Sequence, residues 1–302
     1  MPHLALIVAV IFWASSATAI KVVLSAVPIY EAIALRFILA AIVLWLITIL
    51  VGQLSALRRV GWRPFLAGLI EPGIVSVIGY NGMLMTTAVH ATVIFTLMPL
   101  ISSLLGRIFL KESISPAVIV GAFIGLGGTI LLVADVGRNS NASLTGDLLV
   151  ILAIFLVCTV QLTLRRVAQE HGQPALVTAL MMTGGAVSSL VVLTVAGGPA
   201  PLGWVAEATP EVVSWFLYSA VLVSATSFLF TNYALRHLPV GRVSLYSVLT
   251  APIGVPIAWI VLGESVSTQE LFAIPLIVFG VALPAIGSVI RSRRAAAKRP
   301  VR

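Results

Sequence analysis

The stretch LKESIS at residues 110–115 returns as LGESVS at residues 262–267, and each copy follows a long apolar segment. The two copies lie 152 residues apart, and Gly128 and Gly280 keep the same separation. Similarity at a fixed spacing across half a chain is typical of a structure assembled from related units. The chain is therefore expected to contain two copies of one fold.

Other pairs repeat at almost the same distance, and insertions or deletions of one or two residues reconcile the offsets. The pairs are Asn81 and Asn232, Val89 and Val240, both 151 residues apart, and Pro99 and Pro252.

The composition of the 302-residue chain indicates that most of it lies in lipid. It is 60% hydrophobic and 9% charged, with a mean hydropathy of +1.13. A helix needs roughly 20 apolar residues to cross a bilayer, and ten apolar runs fit that length within a few residues. They are Leu4 to Val23, Ala32 to Val51, Phe65 to Met85, Ala91 to Leu110, Ala117 to Val133, Leu148 to Leu164, Ala175 to Val195, Val212 to Tyr233, Val243 to Leu262 and Leu271 to Ile290. The predicted fold is an all-α polytopic membrane protein with ten transmembrane helices.

The halves are predicted to be inverted relative to each other. Five spans are an odd number, so the second copy must enter the bilayer from the opposite side. With the N-terminus inside, fifteen of the eighteen Lys and Arg residues fall on the cytoplasmic side, as the positive-inside rule requires. The predicted layout is a first five-helix repeat at 1–134, an external linker at 135–146, a second repeat at 147–290 and a basic cytoplasmic tail at 291–302. An inner cell membrane with both termini in the cytoplasm follows.

Polar and aromatic residues within the spans predict a substrate cavity between spans three, four, eight and nine. Serine and threonine alone can bond back to their own helix, whereas Asn and Tyr at repeat-related positions favour a shared pocket. The predicted substrate-binding residues are Trp13, Ser16, Tyr80, Asn81, Phe95, Met98, Ser227, Asn232 and Tyr246.

Lys21, Glu31, Arg36 and Glu71 lie in or directly beside spans, where a charge normally pairs, faces a cavity or reaches the interface. Lys21 is expected to extend to the outer interface, and Arg36 to pair with Glu31 or with a neighbouring helix. Together these three side chains could instead gate the outer mouth. Glu71 is expected to pair with a loop arginine such as Arg58 or Arg63, with proton coupling as the alternative.

Three prolines are expected to break the helices near mid-membrane: Pro99 in the fourth span, and Pro252 and Pro256 in the ninth. Such breaks free backbone carbonyls, which could contact substrate or permit bending.

Several function classes lack support in the sequence. The net charge of +8 owes much to six cations after Ile290, so it indicates membrane anchoring and no nucleic-acid partner. No GxSxG, HExxH or Walker motif is present, and the four histidines are scattered, so neither catalysis nor a metal or cofactor is expected. The single Cys158 cannot form an intramolecular disulfide.

The paired LKES and LGES turns resemble the signature of the EamA-type repeat of the drug/metabolite transporter superfamily. Tyr30-Glu31-Ala32, Leu35-Arg36-Phe37 and the run from Phe12 to Ser16 are similar to the same pattern. The resemblance covers essentially the whole chain and implies ten helices, cytoplasmic termini and export of small metabolites from a central cavity. In overall character the chain is similar to YddG-type amino-acid exporters.

The resulting hypothesis is a secondary transporter that exports neutral or zwitterionic metabolites, above all aromatic and other apolar amino acids, by alternating access with facilitated diffusion or weak coupling. Its only expected partners are the small-molecule substrate and the lipid bilayer, and a monomer is the expected state. The alternatives are export of other metabolites or drugs by proton antiport and, from another class, an intramembrane enzyme or a receptor.

Overall fold

The computed structural model describes residues 1–95, 97–110, 116–133, 142–196, 203–238, 243, 246–264 and 266–297, and the side-chain surroundings of 162–171 and 284–297 lie outside that description. The predicted inner LKES turn and most of the predicted linker therefore fall outside the described residues.

The described part of the chain is helical, as predicted, and contains no strand. Its α-helices are α1 (Pro2–Ala14), α2 (Ser16–Leu24), α3 (Ile29–Leu50), α4 (Leu57–Val60), α5 (Arg63–Gly68), α6 (Val75–Leu84), α7 (Ala88–Phe95), α8 (Met98–Leu110), α9 (Pro116–Val133), α10 (Leu144–His171), α11 (Pro174–Val195), α12 (Pro210–Tyr218), α13 (Ser227–His237), α14 (Thr250–Leu262) and α15 (Thr268–Ala297).

Six of these helical units, counting adjoining helices together, are long and apolar enough to cross a membrane. The bent pair α7 and α8 forms a seventh candidate, and three shorter apolar helices lie in α9, α14 and α15. These segments coincide with the ten runs predicted from the sequence. Helix α10 is longer than predicted, because the side chain of Ser143 accepts a hydrogen bond from Gly146 N and starts the helix at Leu144. It begins inside the stretch 135–146 that was predicted as linker.

The third and eighth spans each contain a π-helical stretch at their centre. Leu69–Ile74 joins α5 to α6, and Ser219–Thr226 joins α12 to α13. The two stretches overlap when shifted by the 151 residues that separate Asn81 from Asn232. In the first stretch the chain is kinked at Glu71, whose φ of −129° and ψ of 119° are not helical. The repeat therefore extends to an irregularity of the backbone.

Helices α9 and α15, which occupy equivalent places in the two halves, pack against each other in opposite directions. Gly128 lies against Ala273 and Ile277, and Gly280 lies against Gly121 and Gly125. Adding 152 to 121 and 125 gives 273 and 277, so the two sets of contacts are equivalent. Two equivalent helices that run antiparallel belong to inverted units. A second pair of contacts shows the same relation between the halves. Helix α1 in the first span packs on α13 in the eighth span, and its equivalent in the second half, α10, packs on α6 in the third span.

One end of the bundle, here called the Lys21 end, is closed by the carboxylate of Glu264 in the LGES turn. Its Oε1 accepts hydrogen bonds from Lys21 Nζ at 3.1 Å and from Ala88 N at 3.0 Å, and its Oε2 accepts one from Val89 N at 3.0 Å. These donors belong to α2 and to the first turn of α7, where the helix dipole favours a negative charge. The turn of the second half is thus held against two helices of the first.

A second polar cluster at the Lys21 end consists of His90, Asp147 and Glu270, all of them buried. His90 Nδ1 lies 2.9 Å from Asp147 Oδ2, and Nε2 lies 3.1 Å from Glu270 Oε1. The second contact has an ion-pair distance without the angular geometry of a hydrogen bond. Thr86 Oγ1 also donates to Asp147. The cluster joins α7 of the first half to α10 and α15 of the second.

The structure differs from one expectation for this end. Lys21 does not extend freely to the interface but pairs with Glu264. Asp147 and Glu270 each sit in the first turn of a helix, which brings their carboxylates to His90. The pairing compensates for removing these charges from water.

Substitution of either repeat-related glycine by alanine is expected to weaken the packing of α9 on α15. A Cβ at Gly280 would lie 2.6 Å from Gly121 O and Gly125 N, and one at Gly128 would lie 3.0 Å from Ile277 N. Overpacking of this kind costs about 1–3 kcal/mol of unfolding free energy. Thermal unfolding in detergent micelles measures the loss.

Gly127→Ala is the matched control, because a Cβ at Gly127 meets nothing within 4 Å. Alanine favours the helix there by up to about 1 kcal/mol. Equal stability of all three variants would contradict the close packing of the two helices.

Replacing His90 by leucine is expected to lower the free energy of unfolding by about 3–5 kcal/mol, because two buried carboxylates lose the imidazole ring that lies between them. Lys21→Met should cost less, since the Lys21–Glu264 pair is partly exposed and Glu264 keeps two backbone donors. Melting temperatures of the two variants in detergent test whether His90→Leu is the more destabilising of the two. A His90→Leu protein that melts like the wild type would show that the cluster does not stabilise this end.

Candidate functional site

A cavity of about 140 Å³ lies in the interior between the two halves. Its lining includes side chains from the first two spans, both parts of the fourth span, α10 and α13, together with the third span around its π-helical stretch. The lining residues are Trp13, Ser16, Ile20, Arg36, Phe37, Glu71, Pro72, Val75, Ser76, Gly79, Tyr80, Met83, Phe95, Met98, Ala153, Ile154, Val157, Gln161, Val223, Phe228, Ser247 and Thr250.

Arg36 supplies the positive charge of the cavity and links the halves. Its Nε donates to Ser224 Oγ at 2.6 Å, and its Nη1 donates to Tyr80 OH. The guanidinium also lies over the rings of Phe37 and Tyr80, 5.9 and 5.7 Å from their centroids, where cation–π attraction adds to the hydrogen bonds. Its Nη2 has no acceptor among the described residues. One face of this charge therefore remains available to a ligand.

Glu71 supplies the negative charge of the cavity and lies inside the π-helical stretch of the third span. Only 4% of the residue is exposed, and its Oε2 is enclosed without a hydrogen-bond partner. No ion pair joins it to another described residue. A buried carboxylate without a partner is costly, so the cavity contains one unsatisfied acidic group.

Aromatic and thioether side chains form the apolar wall of the cavity. Trp13 and Phe228 make an edge-to-face pair with centroids 5.7 Å apart, and Phe95 and Met98 lie on either side of the break in the fourth span. Aromatic faces and methionine adapt well to planar or apolar ligand groups. The cavity thus combines an apolar wall with two opposite charges.

The structure brings together five of the nine residues predicted to bind substrate. Trp13, Ser16, Tyr80, Phe95 and Met98 line the cavity.

The other four predicted residues lie elsewhere, each with its own polar partner. Asn81 Nδ2 donates to Val77 O within its helix, and Asn232 Nδ2 donates to Thr178 Oγ1. Ser227 Oγ donates to Ala9 O and Leu222 O, and Tyr246 OH bonds to His3 Nδ1. Their polar groups are satisfied by hydrogen bonds within a helix or between helices, which is a common role of such residues in membranes.

The structure resolves the predicted alternatives for the charged residues. Arg36 bonds to Tyr80 and Ser224 on neighbouring helices, the second of its two predicted alternatives, and no ion pair joins it to Glu31. Glu31 is buried with its Oε2 unpartnered, yet it does not line the cavity. The expected pairing of Glu71 with a loop arginine is absent among the described residues, and Glu71 lines the cavity instead.

The three prolines occupy different positions relative to the helix breaks. Pro99 is the second residue of α8, directly after the gap between α7 and α8. Pro252 is the third residue of α14, after the 3₁₀ turn Tyr246–Leu249. Pro256 lies inside α14, which continues through it, so the break expected there is absent. A single missing hydrogen bond is tolerated when neighbouring helices support the backbone.

Sequence reasoning missed Phe228 and Gln161, which complete the lining from the second half. Phe228 stands directly beside Ser227 in the eighth span and would be read as lipid-facing from its neighbours alone. Gln161 is a polar residue inside the apolar sixth span. Its polarity was the one feature of the sequence that could have indicated a place in the cavity.

A larger recess of about 490 Å³ lies between α1, α3, α11 and α13, but no charged side chain lines it. Within the described residues, no group of three or more His, Cys, Asp and Glu side chains could hold a metal ion. The enclosed cavity is therefore the candidate site.

Comparisons with known proteins agree with this architecture. The chain is 24% identical over 253 residues to the uncharacterized transporter YyaM of Bacillus subtilis (strain 168), which covers 82% of this chain and 81% of that protein. A solved crystal structure superposes with a TM-score of 0.71 at 20% identity, covering 94% of this chain and 96% of the other, which supports the fold.

The model of the EamA-like transporter family matches residues 1–134 and 144–285. The two matched regions together span most of the chain and correspond to its two halves. The chain is a multi-pass membrane protein and belongs to the EamA-like transporter family.

Proposed function

We propose that the protein is a secondary transporter that exports small zwitterionic metabolites, with aromatic and other apolar amino acids as its first substrates. The single observation that carries this proposal is the interior cavity, whose largely apolar lining includes both Arg36 and Glu71. A zwitterion brings a carboxylate and an ammonium group, which a cavity with both opposite charges can accommodate.

The position of the cavity supports alternating access. Both halves contribute lining residues, and the halves are inverted copies, so a rocking motion of one against the other would expose the same cavity to either side in turn. The polar contacts at the Lys21 end would then have to break and reform in each cycle. We place the Lys21 end outside and both termini in the cytoplasm, at the inner cell membrane, because this topology keeps most basic residues inside.

The lining supports amino acids over phosphorylated metabolites. A phosphate group calls for several converging cations, and among the described lining side chains Arg36 is the only Lys or Arg. Trp13, Phe95 and Phe228 offer faces for an aromatic side chain. Other metabolites or drugs with an aromatic body and a cationic group are the second candidates, favoured by the unpartnered carboxylate of Glu71.

A receptor or an intramembrane enzyme would bind or convert a ligand without moving it across the bilayer. Counterflow of a labelled amino-acid panel in proteoliposomes separates these classes, since only a transporter exchanges internal for external solute. Saturable counterflow of phenylalanine is the expected result. Binding without counterflow for every amino acid in the panel would overturn the proposal.

Trp13→Ala is expected to reduce counterflow of phenylalanine about tenfold relative to that of alanine, since loss of one aromatic face costs about 1–1.5 kcal/mol. The ratio of the two rates within each variant is the measurement. Asn81→Ala is the matched control, because this amide lies one residue from Tyr80 but bonds to Val77 O outside the cavity. An unchanged ratio in Trp13→Ala would show that Trp13 does not contact the side chain of the substrate.

A further inference from the structure

Glu71 and Arg36 line the same cavity, yet they differ in how their charges are satisfied. Arg36 has two hydrogen-bond acceptors and two aromatic rings around its guanidinium. Glu71 has an enclosed Oε2 without a donor, and no cation of the described residues lies within ion-pair distance. The protein therefore supplies hydrogen-bond partners to the guanidinium of Arg36 but none to the Oε2 of Glu71.

An enclosed carboxyl group without protein donors has two ways to avoid an uncompensated charge. It can hold a proton and remain neutral, or it can face a cation supplied from outside the protein. Both states cannot exist together at one group, so a proton and a cation compete for it.

Among the described residues, none of the charged or titratable groups on the helices packed around Glu71 forms an ion pair with it. The π-helical stretch packs against α5, α6, α10 and α11. Their titratable or charged residues are Arg63 on α5, Tyr80 on α6, and Asp147, Cys158, Arg165, Arg166, Glu170 and His171 on α10, whereas α11 has none. Arg63 makes no ion pair with Glu71, Tyr80 bonds to Arg36, and Cys158 bonds to Met98 O. Asp147 is engaged by His90, and the side chains of 165–171 lie outside the described residues.

We propose that Glu71 alternately binds a proton and the ammonium group of the substrate, so that the transporter exchanges protons for ammonium-bearing molecules. This inference rests on the proposed function and adds the coupling and the substrate group that it requires. It favours the alternative of proton antiport over the expectation of facilitated diffusion or weak coupling.

The exchange balances in charge and atoms. When the substrate enters, the carboxyl O–H bond of Glu71 breaks, the proton leaves to the water on the side to which the cavity is open, and the carboxylate forms an ion pair with the ammonium group. When the cavity opens to the other side, a proton from that side binds the carboxylate and the ammonium group departs. One proton moves in the direction opposite to each substrate molecule.

Three related probes test which charged group Glu71 requires. L-phenylalanine has both charges, 2-phenylethylamine has only the ammonium group, and 3-phenylpropionate has only the carboxylate. Each is added to the purified protein in detergent under weak buffering between pH 6 and 8, and a pH-sensitive dye records proton release. We expect up to one proton per bound molecule for the first two compounds and none for 3-phenylpropionate.

Glu71→Gln keeps the shape of the side chain but cannot exchange a proton, so proton release should fall to zero. Glu71→Asp should retain release with a changed affinity, which excludes a folding defect as the cause. Glu31→Gln is the matched control, because Glu31 is also buried with an unpartnered Oε2 but does not line the cavity. It should release protons as the wild type does.

The outcomes separate the two proposals. Counterflow of amino acids in proteoliposomes without proton release on binding, or with release that persists in Glu71→Gln, would overturn the inference and leave the transporter assignment intact. Absence of counterflow for every amino acid would overturn the proposed function itself. Release with 3-phenylpropionate as large as that with 2-phenylethylamine would show that Glu71 does not select an ammonium group.

Discussion

The carboxylate of Glu264 is the interaction on which the closed Lys21 end depends. It accepts one ammonium donor and two backbone N–H donors that the start of α7 leaves without intrahelical partners. Lipid offers no replacement for such bonds. The two halves can therefore separate at this end only if all three donors find other acceptors, which makes this end a closed state with a definite cost of opening.

The need for every buried charge to find a partner also helps to identify the functional groups of the interior. At the Lys21 end, the His90 ring lies between two carboxylates, and capping bonds between Ser267 and Glu270 satisfy the start of α15. Arg36 is likewise surrounded by acceptors and rings. Glu71 differs from these groups, because its Oε2 is buried without a hydrogen-bond partner and its side chain lines the cavity, and a ligand or proton is the partner that we propose for it. The Oε2 of Glu31 is also unpartnered, but Glu31 does not line the cavity.

The sequence predicted what depends on periodicity and repetition. Gly128 and Gly280 stand at equivalent positions because both admit the same close approach, and their spacing indicated the repeat, while the odd number of spans indicated its inversion. Repetition misled for Asn81 and Asn232, since equivalent polar residues can serve equivalent helix contacts and need not share a pocket. His90, Asp147 and Glu270 could not be associated from sequence, because three separate helix N-termini bring them together and only the tertiary fold fixes their distances.

The repeat also shows that the two ends of the bundle cannot be closed by the same chemistry. At the offset of 151 residues, Ala88 corresponds to Pro239, which has no N–H to donate, and His90 corresponds to Gly241. At the offset of 152, Glu270 corresponds to Val118. An inverted copy of the Lys21 end would thus lack one backbone donor, the histidine and one carboxylate. The inverted repeat therefore does not extend to these polar contacts, and the contacts that hold the Lys21 end are particular to it.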